Sequence, residues 1–133
     1  MTDKLIPLRI AGVGYSLPET VITNDDLTKL YETSDEWIYT RTGIKERRVV
    51  SGEQNAIDLG LEAAKNALEK AKMSPDEIDL ILAASSAPPD LYPAIACHIQ
   101  ERLGIKKPVP AFDITAACSG LIYGMSIAKA YIA

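Results

Sequence analysis

Apolar and polar residues follow two patterns along this chain, one typical of strands and one typical of helices. Residues 5–13, 78–84 and 110–114 form nearly continuous apolar runs that end in glycine, proline or polar turns, which predicts three strands. Residues 56–72 repeat apolar side chains at the helical period, with Glu and Lys between them. Because unbroken apolar runs are typical of strands buried on both faces of a mostly parallel sheet, the pattern predicts an α/β fold with covering helices.

Capping residues mark three further helices. The residues from Thr23 onward offer an N-cap for one short helix, and Ser34 offers one for a second short helix that ends near Gly43. A longer helix is predicted over residues 93–103, with Gly104 as its C-cap. These helices lie between the predicted strands, as an α/β fold requires.

The last predicted helix, residues 119–133, is small and apolar on nearly all sides. A helix of this kind is normally buried, so we expect it to lie inside the molecule. The printed sequence has no capping glycine and no strand after it. We therefore expect this helix to be covered by another copy, another chain or the remainder of a longer protein, which makes the sequence incomplete.

Bulk composition narrows the function classes. At 133 residues the chain has the size of one domain, taken here as residues 1–133. A net charge of −4 argues against a general nucleic-acid surface, and no apolar run approaches the ~18 residues of a membrane span. Two cysteines and a start without a secretory-type segment predict a reduced, cytoplasmic location. Cys97 and His98 are adjacent and cannot point at one ion from a helix, so no metal site is predicted.

Cys118 lies where the strand at 110–114 gives way, through small residues, to the last helix. A helix N-terminus offers unpaired N–H groups and a positive dipole end, a setting that favours the nucleophilic thiolate form of a cysteine. Cys118 is therefore a candidate for covalent catalysis. The alternative is a buried cysteine that packs as a small hydrophobic residue, and it stays open at this point.

Three segments of the chain resemble the β-ketoacyl-acyl-carrier-protein synthase III family of the thiolase superfamily. They read GYSLP at 14–18, TSDEWIYTRTGIKER at 33–47 and AFDITAACSG at 111–120. The middle segment is long and specific, and the resemblance runs from Ile10 to the end, about the first two-fifths of a typical member. It implies a thiolase-like fold with a mixed, mostly parallel sheet and covering helices, of which this chain is the amino-terminal half only.

The resemblance also implies a reaction, that of an acyltransferase which needs no cofactor beyond its substrates. Cys118 would take an acyl group from acyl-coenzyme A (acyl-CoA) and condense it with malonyl-acyl-carrier protein, initiating fatty-acid synthesis. The backbone N–H of Cys118 is a candidate oxyanion-hole donor. A homodimer is implied as well. Synthases that load starter units in polyketide or other specialised metabolism share these motifs and remain an alternative.

The family's coenzyme A (CoA) site implies roles for residues of the middle segment. Trp37 would stack on the adenine ring, and Arg41, one helical turn later on the same face, would meet phosphate or ring edges. Thr33 and Thr42 match positions that flank this site. Without the motif, Trp37 would be interpreted as an aromatic residue that packs in the core.

Two further features have both a functional and an ordinary interpretation. Tyr92 matches a family position where an aromatic residue, usually phenylalanine, reaches across the dimer interface to wall the partner's acyl pocket; otherwise it is a loop tyrosine beside Pro93. The basic residues Lys45, Arg47 and Arg48 are candidates for docking an acidic carrier protein, or they are simply solvated.

The family takes a histidine and an asparagine for decarboxylation from its later half. The one histidine here, His98, lies in the helix predicted at 93–103 and is interpreted as a surface or lightly packed side chain. We therefore expect this chain to need a C-terminal half that is not in the sequence. The alternatives are a non-catalytic binding or assembly module, and a stand-alone thiol that accepts acyl groups or senses redox state.

Overall fold

The computed structural model describes residues 8–132, which form two compact units. The smaller unit is Ser16–Asn55, and the larger unit contains the described residues on either side of it, 8–15 and 56–132. None of the helices in the described part of the chain has the length and apolar character needed to cross a membrane.

The smaller unit is a strand pair with two short helices between the strands. In chain order its elements are β1 (Thr20–Thr23), α1 (Asn24–Thr28), α2 (Asp35–Thr42) and β2 (Glu46–Val49). The two strands are antiparallel, with Thr20 opposite Val49 and Thr23 opposite Glu46. Along the chain, β1 is therefore followed directly by α1, and α2 is followed by β2, which pairs with β1.

Both predicted helix caps of the smaller unit are confirmed. The Thr23 hydroxyl accepts the N–H of Asp26, while the Asp26 carboxylate accepts the N–H of Thr23, a reciprocal capping box. The Ser34 hydroxyl accepts the N–H of Trp37 at 3.0 Å, and Gly43 ends α2 in the left-handed conformation. Local side-chain chemistry thus sets where these two helices begin.

The larger unit packs helices on a pair of parallel strands. Its elements are α3 (Ala56–Ala71), β3 (Ile81–Ala84), α4 (Ile95–Arg102), β4 (Ala111–Ile114) and α5 (Gly120–Ile132). β3 and β4 are parallel, with Ile81 opposite Ala111. Its buried core joins Ile57 of α3 to Ile95 and Ile99 of α4. The predicted α/β class, with parallel strands and covering helices, is confirmed in this unit.

The first predicted strand, residues 5–13, is wrong where it can be examined. Residues 5–7 lie outside the described residues, and residues 8–13 form no strand with any of the residues described. The segment lies instead against α3, where an added Cβ on Gly14 would clash with the Ala63 carbonyl oxygen and one on Gly12 with the Ala67 carbonyl oxygen. The two glycines serve this close backbone approach.

Three smaller predictions also need correction. The helix predicted at 93–103 begins at Ile95, because Ala94 still has extended backbone. The β3 residues are half-buried or exposed rather than buried on both faces. α5 is mostly exposed, with Leu121 at 67% and Ile132 at 62%. Only Gly120 at its start is buried, and Gly124, Ile127 and Ala128 are half-buried, so within the described residues one face packs on the unit and the large apolar side chains of the other face are exposed.

Candidate active site

Cys118 lies in the turn that joins β4 to α5. β4 ends at Ile114, and a one-turn 3-10 helix, Ala117–Ser119, carries the cysteine directly into α5. The predicted strand-to-helix setting is therefore present, with the thiol in the 3-10 turn rather than in the α-helix itself. The N–H and the hydroxyl of Ser119 both donate to the Ala116 carbonyl, at 3.1 and 2.7 Å, and so hold the turn.

The backbone beside Cys118 is strained and tightly packed. Ala117 has a φ of +44°, a left-handed conformation that costs a non-glycine residue about 1–2 kcal/mol. On the other side of the cysteine, Gly120 lies so close to β3 that an added Cβ would be 2.8 Å from the Cβ of Ala84. Strain of this kind persists only where the surrounding structure holds it.

The thiol of Cys118 is accessible. Its side chain is exposed, so it does not act as the buried packing residue that the alternative described. Within residues 8–132, no hydrogen bond is donated by the Cys118 N–H, which leaves that group available to a developing oxyanion. Cys97 differs, because it is half-buried in α4 with its Sγ 3.6 Å from the Ala111 carbonyl oxygen.

Trp37 and Arg41 form a contacting pair on α2. The guanidinium carbon of Arg41 lies 4.4 Å from the centroid of the Trp37 ring, and its Nη1 donates to the Trp37 carbonyl at 3.3 Å. Trp37 is 55% exposed, so it is not a core-packing aromatic residue. The arrangement places a positive charge over one face of a flat, exposed indole.

The two threonines occupy different places around this pair. Thr33 lines an open depression of about 390 Å³ together with Trp37 and the residues Glu32 and Ser34. Thr42 uses its hydroxyl locally, because it donates to the Ile38 carbonyl at 2.7 Å and accepts the N–H of Ile44 at 3.1 Å. The structure brings Thr33 to the indole and gives Thr42 a role in closing α2.

Tyr92 lies in the loop between β3 and α4 and is 83% exposed. Its neighbour Leu91 is exposed as well, so this loop presents apolar surface, with no packing of the tyrosine into the larger unit. An exposed aromatic side chain of this kind is available to a partner.

The three basic residues take part in local contacts. Arg47 donates to the Ile22 carbonyl, and Arg48 donates to the Pro18 carbonyl at 3.1 Å. Lys45 has its Nζ 5.1 Å from the centroid of the Tyr39 ring. The two guanidinium groups therefore connect β2 to the backbone in and before β1. The charge pattern alone did not indicate this structural role.

Two polar residues that hold the site elements were missed. Asp113 of β4 accepts the N–H groups of Ile95 and Ala96, at 2.8 and 2.9 Å, and so caps α4 from the strand that leads to Cys118. Its signal was a carboxylate inside an otherwise apolar run. The second residue is Asn24, which is buried. The sequence pattern places it only in the segment that caps the first short helix.

The His98 side chain is more enclosed than the sequence indicated. It is half-buried in α4, and its Nε2 atom is buried without a hydrogen-bond partner among the described residues. An imidazole nitrogen in that position has no access to a substrate carbonyl.

Comparison with known proteins places this geometry in a class. No family model matches the chain. It is 54% identical over 123 residues, 92% of the chain and 37% of the relative, to a β-ketoacyl-[acyl-carrier-protein] synthase III of Chlamydia muridarum. The crystal structure of 3-oxoacyl-[acyl-carrier-protein] synthase III from Aquifex aeolicus matches with a TM-score of 0.88 and 48% identity, over 93% of this chain and 40% of that one.

A related structure is the priming β-ketosynthase of the R1128 polyketide pathway, with a TM-score of 0.86 and 33% identity, over 91% of this chain and 36% of that one. These matches confirm that the chain has a thiolase-like α/β fold. Within that class, the chain belongs to the β-ketoacyl-acyl-carrier-protein synthase III family. It spans about two-fifths of the length of the curated relatives that it matches.

Proposed function

We propose that this chain carries the acyl-accepting part of a β-ketoacyl-acyl-carrier-protein synthase III, an acyltransferase that initiates fatty-acid synthesis. The observation that carries the proposal is the exposed thiol of Cys118 in a held turn between β4 and α5. High identity to synthases of this name supports the same assignment. The acyl donor is acyl-CoA, and the acceptor is malonyl-acyl-carrier protein.

The proposed first step is acyl transfer to the thiol. The Cys118 thiolate attacks the thioester carbonyl carbon, and the negative charge moves to the carbonyl oxygen, where the Cys118 N–H donates to it. The new carbon–sulfur bond to Cys118 replaces the bond to CoA, which leaves as a thiolate and takes up a proton. No redox cofactor or metal takes part in this step.

The second step consumes the acyl group. Malonyl-acyl-carrier protein loses carbon dioxide, and the carbanion that remains attacks the carbonyl carbon of the Cys118 thioester. A carbon–carbon bond forms, the Cys118 thiolate is released and a β-ketoacyl-acyl-carrier protein leaves. Groups that stabilise the carbanion belong to this step, and in the family these are a histidine and an asparagine.

Helix α2 is the proposed recognition element for the nucleotide of CoA. The exposed Trp37 indole offers a flat surface to an adenine ring, and the guanidinium of Arg41 offers donors to phosphate. Thr33 borders the same depression as Trp37. Thr42 contributes indirectly, because its hydroxyl bonds close the end of α2.

We also propose a cytoplasmic homodimer that takes an acidic carrier protein as its partner. The exposed Tyr92 supports the dimer, because its loop offers apolar surface that a second copy could cover. Its role is then to wall the acyl pocket of that copy. Free cysteines at 97 and 118 are consistent with a reduced compartment. The basic side chains of Lys45, Arg47 and Arg48 are the proposed contacts for the acidic partner.

The priming β-ketosynthase similarity favours one second candidate, loading of a starter unit in polyketide synthesis. Starter-unit loading would use the same transfer of an acyl group to Cys118. It would differ in the molecule that then accepts this acyl group. Identity to the two synthases III cited above is higher, 54% and 48% against 33%, so fatty-acid initiation is the function we propose.

The test is transfer of a labelled acetyl group from acetyl-CoA to the protein. The proposal predicts label that survives denaturation and is released by neutral hydroxylamine, as a thioester is. A non-catalytic binding module would take up no label. Label that resists hydroxylamine, or no label at all, contradicts the proposal.

A further inference from the structure

Helix α2 has little apolar anchoring. None of its residues is buried, and among its side chains only Ile38 is half-buried. Packing of an apolar face, which holds most protein helices in place, therefore contributes little here. The position of α2 has to come from polar contacts.

One side chain supplies contacts at both ends of this helix. Asn24, the first residue of α1, is 1% exposed. Its Nδ2 donates to the Asp35 carboxylate at 2.7 Å, where α2 begins, and to the Ile44 carbonyl at 2.8 Å, just after α2 ends. A single buried amide thus joins the start and the end of α2 to α1.

The other atoms of Asn24 are also bound. Its Oδ1 accepts from Nη2 of Arg47 on β2 at 2.6 Å, and its backbone N–H donates to the Lys45 carbonyl at 3.0 Å. The side chain uses two donors and one acceptor, a combination that only an amide of this length provides. Because the site is buried, a lost partner would leave an unsatisfied polar group.

We infer that Asn24 is a positioning residue for the nucleotide-binding helix, an inference that rests on the proposed function. Asn24 fixes α2 relative to β2, and α2 in turn presents Trp37 and Arg41 to CoA. It does not touch the ligand itself. Loss of its bonds changes the affinity for the nucleotide part of CoA while the chemistry of the thiol at Cys118 is left in place.

The test measures CoA affinity and a substrate ratio on the full chain. Trp37 is the one tryptophan, so its fluorescence reports both the placement of α2 and CoA binding. The variants are Asn24→Ala, which removes every side-chain bond, and Asn24→Asp, which replaces the donor that faces Asp35 with an acceptor. Asn66→Ala is the matched control, because it deletes an asparagine bonded to the Tyr15 carbonyl on an exposed face of α3.

A misplacement of about 1 Å can cost on the order of 100-fold in the rate of a positioned reaction, and we take the same scale as the upper bound for CoA binding. We expect Asn24→Ala to raise the dissociation constant of CoA by about 10- to 100-fold and to shift the Trp37 emission. The ratio of acylation rates, acetyl-CoA over a nucleotide-free acetyl thioester, should fall by a similar factor. Asn66→Ala should leave both quantities unchanged.

A reciprocal exchange keeps the inference testable if Asn24→Ala does not fold. The pair Asn24→Asp with Asp35→Asn keeps the net charge and restores one donor–acceptor contact with its polarity reversed. It should recover part of the affinity that Asn24→Asp alone loses. No recovery, or wild-type affinity in Asn24→Asp, overturns the positioning role.

The outcomes separate this inference from the proposed function. If the wild-type protein does not bind CoA, both are wrong. If the wild type binds and Asn24→Ala binds equally well with an unchanged substrate ratio, the positioning role alone is wrong.

Discussion

At the scale of single residues, exposure distinguishes the proposed functional side chains from structural ones. Cys118 and Trp37 are exposed where their residue types are often buried, whereas Cys97 is half-buried against β4. Arg41 covers one face of the Trp37 indole, so a ligand ring must use the other face or displace the guanidinium. The residue types were evident from the sequence, but their exposure was not.

Replacing the indole tests the nucleotide site. Trp37→Ala should weaken CoA binding by ~1–3 kcal/mol, the contribution of stacking between a base and an aromatic ring. Titration calorimetry measures the change. Tyr39→Ala is the matched control, because this aromatic residue also lies on α2, half-exposed, and contacts Lys45 rather than Arg41. Equal affinities of wild type and Trp37→Ala would remove Trp37 from the site.

The capping box of α1 should give stability an acid-dependent component. Hydrogen bonds from Lys29 and then from Thr23 hold the pKa of Asp26 well below its ordinary value of 3.8. A carboxyl whose pKa is lower in the folded state stabilises that state above its unfolded pKa, and the contribution is lost as pH falls toward the folded pKa.

Asp26→Asn should therefore lower the free energy of unfolding at neutral pH and converge with the wild type as pH falls below about 3.9. Denaturant titrations from neutral to acidic pH measure the difference. Asp25→Asn, on the neighbouring carboxylate outside the box, is the control. A difference that stays constant over the whole range would contradict the account.

At the scale of elements, local chemistry predicted the helices better than the strands. The caps at Thr23 and Ser34 act within four residues along the chain, so the sequence alone indicated both helix starts. A strand depends on a partner, and residues 8–13 have none among the residues described, which is why an apolar run alone misled the prediction. Bonds from Asn24 to Asp35 and Arg47 span 11 and 23 positions, beyond any local pattern.

The start of α5 offers a packing test next to the thiol. Gly120→Ala would place a Cβ 2.8 Å from the Cβ of Ala84, and neither atom belongs to a flexible side chain. We expect a loss of about 1–3 kcal/mol in the free energy of unfolding, together with slower acylation of Cys118 as the turn shifts.

Gly124→Ala is the matched change on the same helix. Its Cβ would meet the Ile114 side chain at an ordinary 3.7 Å, and alanine is the better helix former by about 1 kcal/mol. It should be neutral or stabilising. If both alanine variants had the same stability and acylation rate, close packing at Gly120 would not control the turn.

At the scale of the whole molecule, the fold class could be predicted from the sequence, but the exposure of α5 could not. The parallel β3–β4 pair and its helices follow from the pattern of apolar residues. The apolar character of α5 predicted a buried helix, yet within the described residues Leu121, Ile122 and Ile132 are exposed. Burial depends on neighbours that a single helix pattern cannot supply.

The two half-reactions should separate in a polypeptide of these 133 residues. We expect it to accept an acetyl group at Cys118 and to form no β-ketoacyl product from malonyl-acyl-carrier protein, because the buried Nε2 of His98 cannot bind a substrate carbonyl. Chromatography of the carrier-protein products measures this, with a full-length family member as the positive control. Product formed at a comparable rate would contradict the prediction.

The most direct test of the account is the mass of the protein after exposure to acetyl-CoA, followed by peptide mapping. We expect one acetyl group on the peptide that contains Cys118, present in the wild type and in Cys97→Ser and absent from Cys118→Ser. An acetyl group that maps to Cys97, or that persists in Cys118→Ser, would contradict the claim that the β4–α5 turn presents the acyl-accepting thiol.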